Sequence, residues 1–375
     1  MSATVIAIIQ QVSGVMLLLL ILLDVFLTVL YARMESGLLS RRLGELVWRC
    51  FRVVARNAEK NGDRILSFCG PVILAVLVLT WISGLALGNA LLIHPMLGRS
   101  VLSTSGKTPT DFVSALYAGG SSLSIVGSSD FTPRTPGTRL LYLFDSIAGL
   151  SVTSLTLTYL MQIYNQLQQR NAFALRVYLA TRRTGDAAEL IAGIAPEGSW
   201  SAGASSLWEL AEQIAVTKEA HHFYPMLFYM RFPEPYYSVS FTTLVLLDSV
   251  ALLRCALSED YNQLTHLGAV DELWEGSLLL LTALEQNFLN VGAVQPEQPD
   301  HEDISRWTSR FKRATDLLRA AGIATAGDEE RALSLYVSVR RQWNGHIRRL
   351  APSMMYRMED IDSATYGKGA GETER

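Results

Sequence analysis

Between Thr110 and Pro133 the chain reads TDFVSALYAGGSSLSIVGSSDFTP, a stretch dense in hydroxyls, glycines and small side chains. It opens with helix-start chemistry, Pro109 followed by Thr110 and Asp111 as caps, and with an apolar stripe through Phe112, Leu116 and Leu123. It then runs into Ser124, Ile125, Val126, Gly127, Ser128, Ser129 and Asp130 and closes on Phe131-Thr132-Pro133. Backbone carbonyls and hydroxyls in such a run can replace the water around a cation. The stretch is too short and too polar to cross a bilayer. Gly/Ser-rich backbone survives at membrane depth only where protein or a watery cavity shelters it. The pattern therefore predicts a re-entrant pore loop over 110–133, a short helix aimed into the membrane and followed by exposed carbonyls.

Such a loop needs membrane-spanning neighbours. Residues 3–33 contain the apolar run VMLLLLILLDVFLTVLY, which is of spanning length. The run has no positive segment before it and no small-x-small cleavage site after it, so an anchor is expected rather than a secretory signal. Asp24 lies inside it, where a carboxyl is costly and must face protein or water. It either attracts cations, senses a proton, makes a hydrogen-bonded helix contact or sits near the interface. Residues 34–64 carry Arg41, Arg42, Arg49, Arg52, Arg56, Lys60 and Arg64, with Leu43, Val47, Phe51 and Val54 at helical spacing. This predicts a linker helix along the cytoplasmic interface.

Residues 65–94 read as a second span and 138–164 as a third. The third is rich in Ser and Thr on several faces, which suits a protein interior or a water-lined pore better than lipid. Asp145, near its outer end, is expected to be solvated. Gly149 is either a bend point for gating or a close helix contact. The basic linker after the first span, and Arg170, Arg176, Arg182 and Arg183 after the third, place the N-terminus outside and everything after about Gln166 in the cytoplasm.

The remaining sequence reads as helices over 168–182, 186–193, 204–220, 238–257, 259–267, 269–290, 304–321 and 328–349. The apolar run at 239–257 is expected to be a buried soluble helix rather than a fourth span, because Asp248 and Arg254 interrupt it. The chain thus divides into an N-terminal span with basic linker (1–64), a two-helix pore domain (65–165), a helical cytoplasmic domain (166–361) and a disordered tail (362–375).

Several function classes are excluded or weakened. A net charge of −3 with no basic domain argues against nucleic acid as a partner. Cys50, Cys69 and Cys255 are far apart and read as free thiols. Gly106-Lys107-Thr108 lacks the upstream glycine of a phosphate loop, and no dinucleotide fingerprint follows a strand. His221-His222 is either a metal or pH site or includes a buried structural histidine, since adjacent residues face different sides of a helix. Tyr236, Tyr237, Trp200, Trp208 and Trp274 read as packing. No nucleophile–base–orienter set is visible, so neither an enzyme nor a metal site is expected.

The order of span, short helix, filter-like run, Asp, Thr-Pro and Gly-containing inner span across residues 65–165 resembles the potassium-channel pore superfamily. The stretch Asp24-Val25-Phe26-Leu27-Thr28-Val29-Leu30 and the basic linker resemble a bacterial subgroup with one extra N-terminal span and a helical cytoplasmic region. That family's filter reads Thr-Val/Ile/Leu-Gly-Tyr/Phe-Gly-Asp. Val126, Gly127 and Asp130 agree with it; Ile125 replaces the threonine (Ser124 is one residue away), Ser128 the bracing aromatic, and Ser129 a glycine. The resemblance implies an all-α membrane protein with three transmembrane helices, a re-entrant pore helix and filter loop, and a helical cytoplasmic domain. It implies a homotetramer in the lipid bilayer, with Ser124 to Ser129 as filter and Asp130 near the outer mouth. It also implies a permeant cation, potassium or mixed monovalent, with altered selectivity because the brace is lost. A cytoplasmic protein or small molecule would regulate it. The alternative is a non-conducting scaffold or signalling receptor on the same architecture.

Overall fold

The computed structural model describes residues 3–31, 37–58, 61–124, 130–196, 200, 203–289 and 299–366. Two compact units divide the chain, one formed by Met1–Cys50 with Gly70–Tyr164 and the other by Phe51–Cys69 with Asn165–Arg375. The basic linker is thus shared between them, not grouped with the first span alone.

The first unit begins with α1, Ala3–Val25, which continues as a π-helical turn over Phe26–Leu30. α2, Leu38–Asn57, follows and ends in the second unit, which also holds α3, Gly62–Ser67; α4, Cys69–Ile93, then belongs to the first unit from Gly70 on. A short strand β1, Val101–Ser103, precedes α5, Phe112–Leu123, and β2, Phe131–Pro133, follows it. α6 then runs unbroken from Pro136 to Ala180. Three helical stretches, Thr4–Leu30, Gly62–Met96 and Pro136–Ala180, are long and apolar enough to cross a membrane. The protein is a multi-pass membrane protein. Where the sequence reading ended the third span at 164 and restarted a helix at 168, the structure has one helix. No proline or glycine interrupts YNQLQQRNAFALRVYLA, so nothing stops it.

β1 and β2 pair antiparallel, with Val101 opposite Pro133, Leu102 opposite Thr132 and Ser103 opposite Phe131. This ribbon closes the base of the segment that contains α5, and Thr104 N–H extends it by donating to the Asp130 carbonyl at 2.9 Å. Beneath it Ala90, Ile93, Leu97, Val101, Ala115, Ala118 and Phe131 form a buried apolar cluster.

The second unit is a helical bundle. α7 is Ala187–Ile194, α8 Gly203–Phe223, α9 Val239–Cys255, α10 Asn262–Thr265 and α11 Gly268–Leu284. α12 is His301–Ala320, α13 Glu329–Ser353, α14 Met358–Ile361 and α15 Ser363–Tyr366. α9 is capped by Ser238, whose hydroxyl accepts from Phe241 N–H at 3.1 Å, and it packs against α7, α11 and α13. Every one of its residues except Arg254 is buried. A helix surrounded by others is apolar all round, which is why this run looks like a span.

One expectation is corrected at the C-terminus. Asp362, assigned to a disordered tail, is buried and pairs with the fully buried Arg340, and Thr365 accepts from the same guanidinium at 3.0 Å. Ser363 also donates to the Thr184 carbonyl at 2.8 Å. Arg340 needs these oxygens, and they hold residues 362–366 in place. The glycines from 367 onward lie outside the described residues.

Candidate functional site

α5 starts where the sequence predicts: the Asp111 carboxylate accepts from Ser114 N–H at 2.9 Å and from its hydroxyl at 2.7 Å. The face it buries is not its apolar stripe. Phe112 and Leu116 are 38% and 39% exposed, while Ala115, Ala118, Gly119 and Ser122 are buried. Small side chains let helices approach to backbone distance, and the bulky apolar residues turn outward. A Cβ on Gly119 would meet Ala90 N at 2.8 Å, and one on Gly149 would meet the Leu123 carbonyl oxygen at 1.9 Å. The last turn of α5 is therefore gripped from one side by α4 and from the other by α6. For Gly149 this is the close-contact geometry.

A polar cluster ties the same three helices together. Asn89 Nδ2 donates to Asp145 Oδ2 at 2.7 Å, to Ser122 Oγ at 2.8 Å and to the Gly119 carbonyl at 3.1 Å. Ser122 Oγ reaches Asp145 Oδ2 at 3.1 Å, and Ser146 Oγ donates to the Ser122 carbonyl at 3.1 Å. Asp145 is only 1% exposed. The expectation that it is solvated is corrected: it faces protein, where Asn89 and Ser122 supply the hydrogen bonds that water would have given. Sequence reasoning passed over Asn89 and Ser122. The available signal was an Asn inside an apolar span, which must find a partner across helices.

Immediately beyond α5, Ser124 adopts extended backbone and is exposed, with its N–H donating to the Ser121 carbonyl at 3.3 Å. Asp130 is exposed and accepts from the Tyr117 hydroxyl at 2.8 Å, while the Tyr117 ring packs edge-on against Phe131. The predicted filter residues Ile125, Val126, Gly127, Ser128 and Ser129 lie outside the described residues. Their two flanks are thus fixed by α5 and by the ribbon. The C-terminal end of α5, where helix carbonyls carry partial negative charge, leads into them.

Asp24 belongs to a separate arrangement in the first unit. It is fully buried and accepts from Leu39 N–H at 2.8 Å, Ser40 N–H at 3.4 Å, Ser40 Oγ at 2.6 Å and Trp81 Nε1 at 2.8 Å. Of the openings left by the sequence, this is a hydrogen-bonded helix contact. The carboxyl caps the start of α2 from another helix, satisfying N–H groups that no helix can pair internally.

In the bundle, Asp248 accepts from Tyr336 at 2.6 Å, Arg310 at 2.9 Å and Arg340 at 3.3 Å, and Arg310 also reaches Asp186 at 2.7 Å. Those carboxylates hold both guanidiniums firmly protonated against the cost of burial. His221 is fully buried with neither ring nitrogen partnered, and burial, then the nearby Arg170 charge, push its pKa down to about 3. Among the described residues no group of His, Cys, Asp or Glu is arranged to hold a metal ion.

Comparison with known proteins bears on the first unit. Residues 72–166, which carry most of α4, the ribbon, α5 and the first part of α6, match the family Ion_trans_2, described as "Ion channel". The chain is also 23% identical over 303 residues to the uncharacterized membrane protein YdjJ of Bacillus subtilis (strain 168), covering 77% of this chain and 82% of that protein. No solved structure matches. The family match and the three spanning helices support a general ion-channel-like function. Ion channels transport rather than catalyse, so the match agrees with the expectation that the chain is not an enzyme.

Proposed function

We propose that the chain is the subunit of a cation channel, with α5 as re-entrant pore helix and Ser124 to Ser129 as filter. The observation that carries this reading is the clamped last turn of α5. Asn89, Gly119, Ser122 and Gly149 fix its end at the start of the filter-like run, and the ribbon fixes the other flank. One such loop cannot enclose a path, so several copies must surround it, and the family resemblance makes the number four. Val113 and Tyr117 on α5, 74% and 51% exposed, offer apolar surface for neighbouring subunits to cover. The Lys/Arg excess of the linker puts the N-terminus outside and the bundle in the cytoplasm, where it modulates the pore through a protein or small-molecule regulator. Domain roles follow the sequence: 1–64 anchor and linker, 65–165 pore, 166–361 regulatory bundle.

Ser128 and Ser129 stand where the resembled filter has an aromatic brace and a glycine, so selectivity between potassium and other monovalent cations is relaxed. Flux of potassium, sodium and a bulky organic cation into liposomes holding the purified protein tests this. Passage of potassium and sodium together is expected, and Ser128→Tyr with Ser129→Gly should shift it toward potassium. The same two serines favour a second reading, a non-conducting scaffold or receptor. Absence of flux from folded, assembled protein would select it.

A further inference from the structure

We infer that Asp145 is a positioning residue for the ion path: through Ser122 and Asn89 it fixes the end of α5, and so the backbone that leads into Ser124. The inference rests on the channel reading for its functional consequence, but the positioning itself stands on geometry within the first unit. Asp145 and Asn89 lie on different membrane-spanning helices, and both reach Ser122, two residues before Ser124. Ser146 and Gly149, on the same stretch of α6, engage the carbonyls of Ser122 and Leu123. Three of five successive α6 positions thus act on one turn of α5.

The amide of Asn89 can face only one way. Its Nδ2 meets three acceptors, and turning it over would put Oδ1 against the Asp145 carboxyl and the Gly119 carbonyl. In the observed orientation Oδ1 is buried without a partner. An orphaned acceptor is destabilising, and a carboxyl in a membrane helix costs more. Packing alone would be served better by apolar side chains of the same volume. Asp145 has neither a basic partner nor a salt bridge among the described residues. What the carboxyl supplies is a pair of short, directional bonds that set the rotation and height of the last α5 turn.

The test uses the full-length protein in liposomes and two readouts, amide hydrogen exchange over residues 119–131 and the potassium-to-sodium flux ratio. Asp145→Ala should speed exchange at least about tenfold in that segment while leaving the helices of the bundle unchanged, and should move the flux ratio at least about threefold. Asp145→Asn, which keeps an acceptor oxygen of the same reach, should restore most of both. Should Asp145→Ala fail to assemble, Ser122→Ala removes one link only and should give the same local signature at smaller amplitude. Unchanged exchange at 119–131 in Asp145→Ala, or Asp145→Asn as damaging as Asp145→Ala, overturns the positioning role. Local loosening in a protein whose parent passes no ion overturns the channel reading alone.

Discussion

Asp145 in the first unit and Asp248 in the second are equally inaccessible, 1% and 2% exposed, yet their neighbours could hardly differ more. Asp145 accepts from an amide and a hydroxyl, and Asp24, the other buried acid of the first unit, from two backbone N–H groups, a hydroxyl and an indole. Asp248 is met by two guanidiniums and a phenol. Around Asp248 the bundle cancels buried charge with opposite charge, whereas its buried Arg170 is met by the Leu227 and Met230 carbonyls. The membrane unit satisfies its acids with neutral donors and leaves any negative charge uncancelled. A cation path gains from uncancelled negative charge nearby, whereas a scaffold gains from a closed ionic cluster that fixes which helices meet. The difference predicts that removing a partner is most damaging in the bundle, and that removing charge while keeping shape is mild in the membrane unit.

The largest effect belongs to Arg340→Ala. Arg340 is fully buried and joins Asp248 on α9 to Asp362 near the C-terminus, so its loss strands Asp362 and leaves Asp248 to Arg310 and Tyr336 alone. Breaking a buried pair costs about 3–5 kcal/mol, a large share of the stability of most domains. Thermal unfolding of the detergent-solubilised protein should fall steeply, and proteolysis should reach the chain beyond Met358. A variant that melts like the parent would mean that the bundle does not depend on charge cancellation.

Asp24→Ala comes next. Hydrogen bonds to a charged acceptor contribute about 1.5–3 kcal/mol, and this side chain collects several donors, including the start of α2 and Trp81. We expect a loss of about 3 kcal/mol with earlier cleavage in the linker, and only partial recovery by Asp24→Asn, whose NH2 would face donors that one carboxylate oxygen now accepts from. Equal damage from both variants would show that the charge itself is needed, which breaks the contrast drawn above. Gly149→Ala is smaller, about 2 kcal/mol, because α6 and α5 can move apart to relieve the contact with Leu123, at the expense of the cluster on either side. Loss of ion flux should exceed the loss of stability in that variant.

How far these features could be read from sequence follows the same divide. In the bundle, caps, breakers and periodicity located α7, α8, α9, α11, α12 and α13, and the interrupting Asp248 and Arg254 kept α9 from being taken as a span. In the membrane unit the same periodicity misled. The bulky stripe of α5 does not mark its packed face: lipid is as apolar as a core, so small and polar residues mark it instead. Asp145 was placed by its distance from the end of the span, which fixes depth but says nothing of which side faces protein. Asn89 and Ser122 carry no sign in one sequence of the partners they find. β1 and β2, three residues each, are too short for alternation to register. Ser124 and Asp130 read as the two ends of the candidate filter run, since the change from helix to Gly/Ser-rich backbone is itself a compositional signal.

His221 sharpens the rule for the bundle with the smallest effect. It is a buried titratable group with neither a countercharge nor a hydrogen-bond partner: both nitrogens are unpartnered, Arg170 lies near, and burial keeps the ring neutral. Its folded pKa is about 3 against an ordinary 6.5, so between those values the unfolded chain binds a proton that the folded chain refuses. Stability contributed by the neutral ring is complete above the ordinary value and is lost as pH falls below it. The slope is at most about 1.4 kcal/mol per pH unit. Glu285 adds to the same acid sensitivity. Burial raises its pKa, but the hydrogen bonds and charges of His346 and Arg349 outweigh that and hold it below the usual range. Its contribution, however, fades only in the carboxylate range, at lower pH. His221→Leu should therefore flatten the stability profile just below neutrality and leave the more acidic limb intact, a difference of about 1 kcal/mol roughly one unit below the ordinary histidine pKa. An unchanged profile would mean that the folded bundle accepts a proton at His221 beside Arg170, and two neighbouring buried cations would then be tolerated there without a carboxylate.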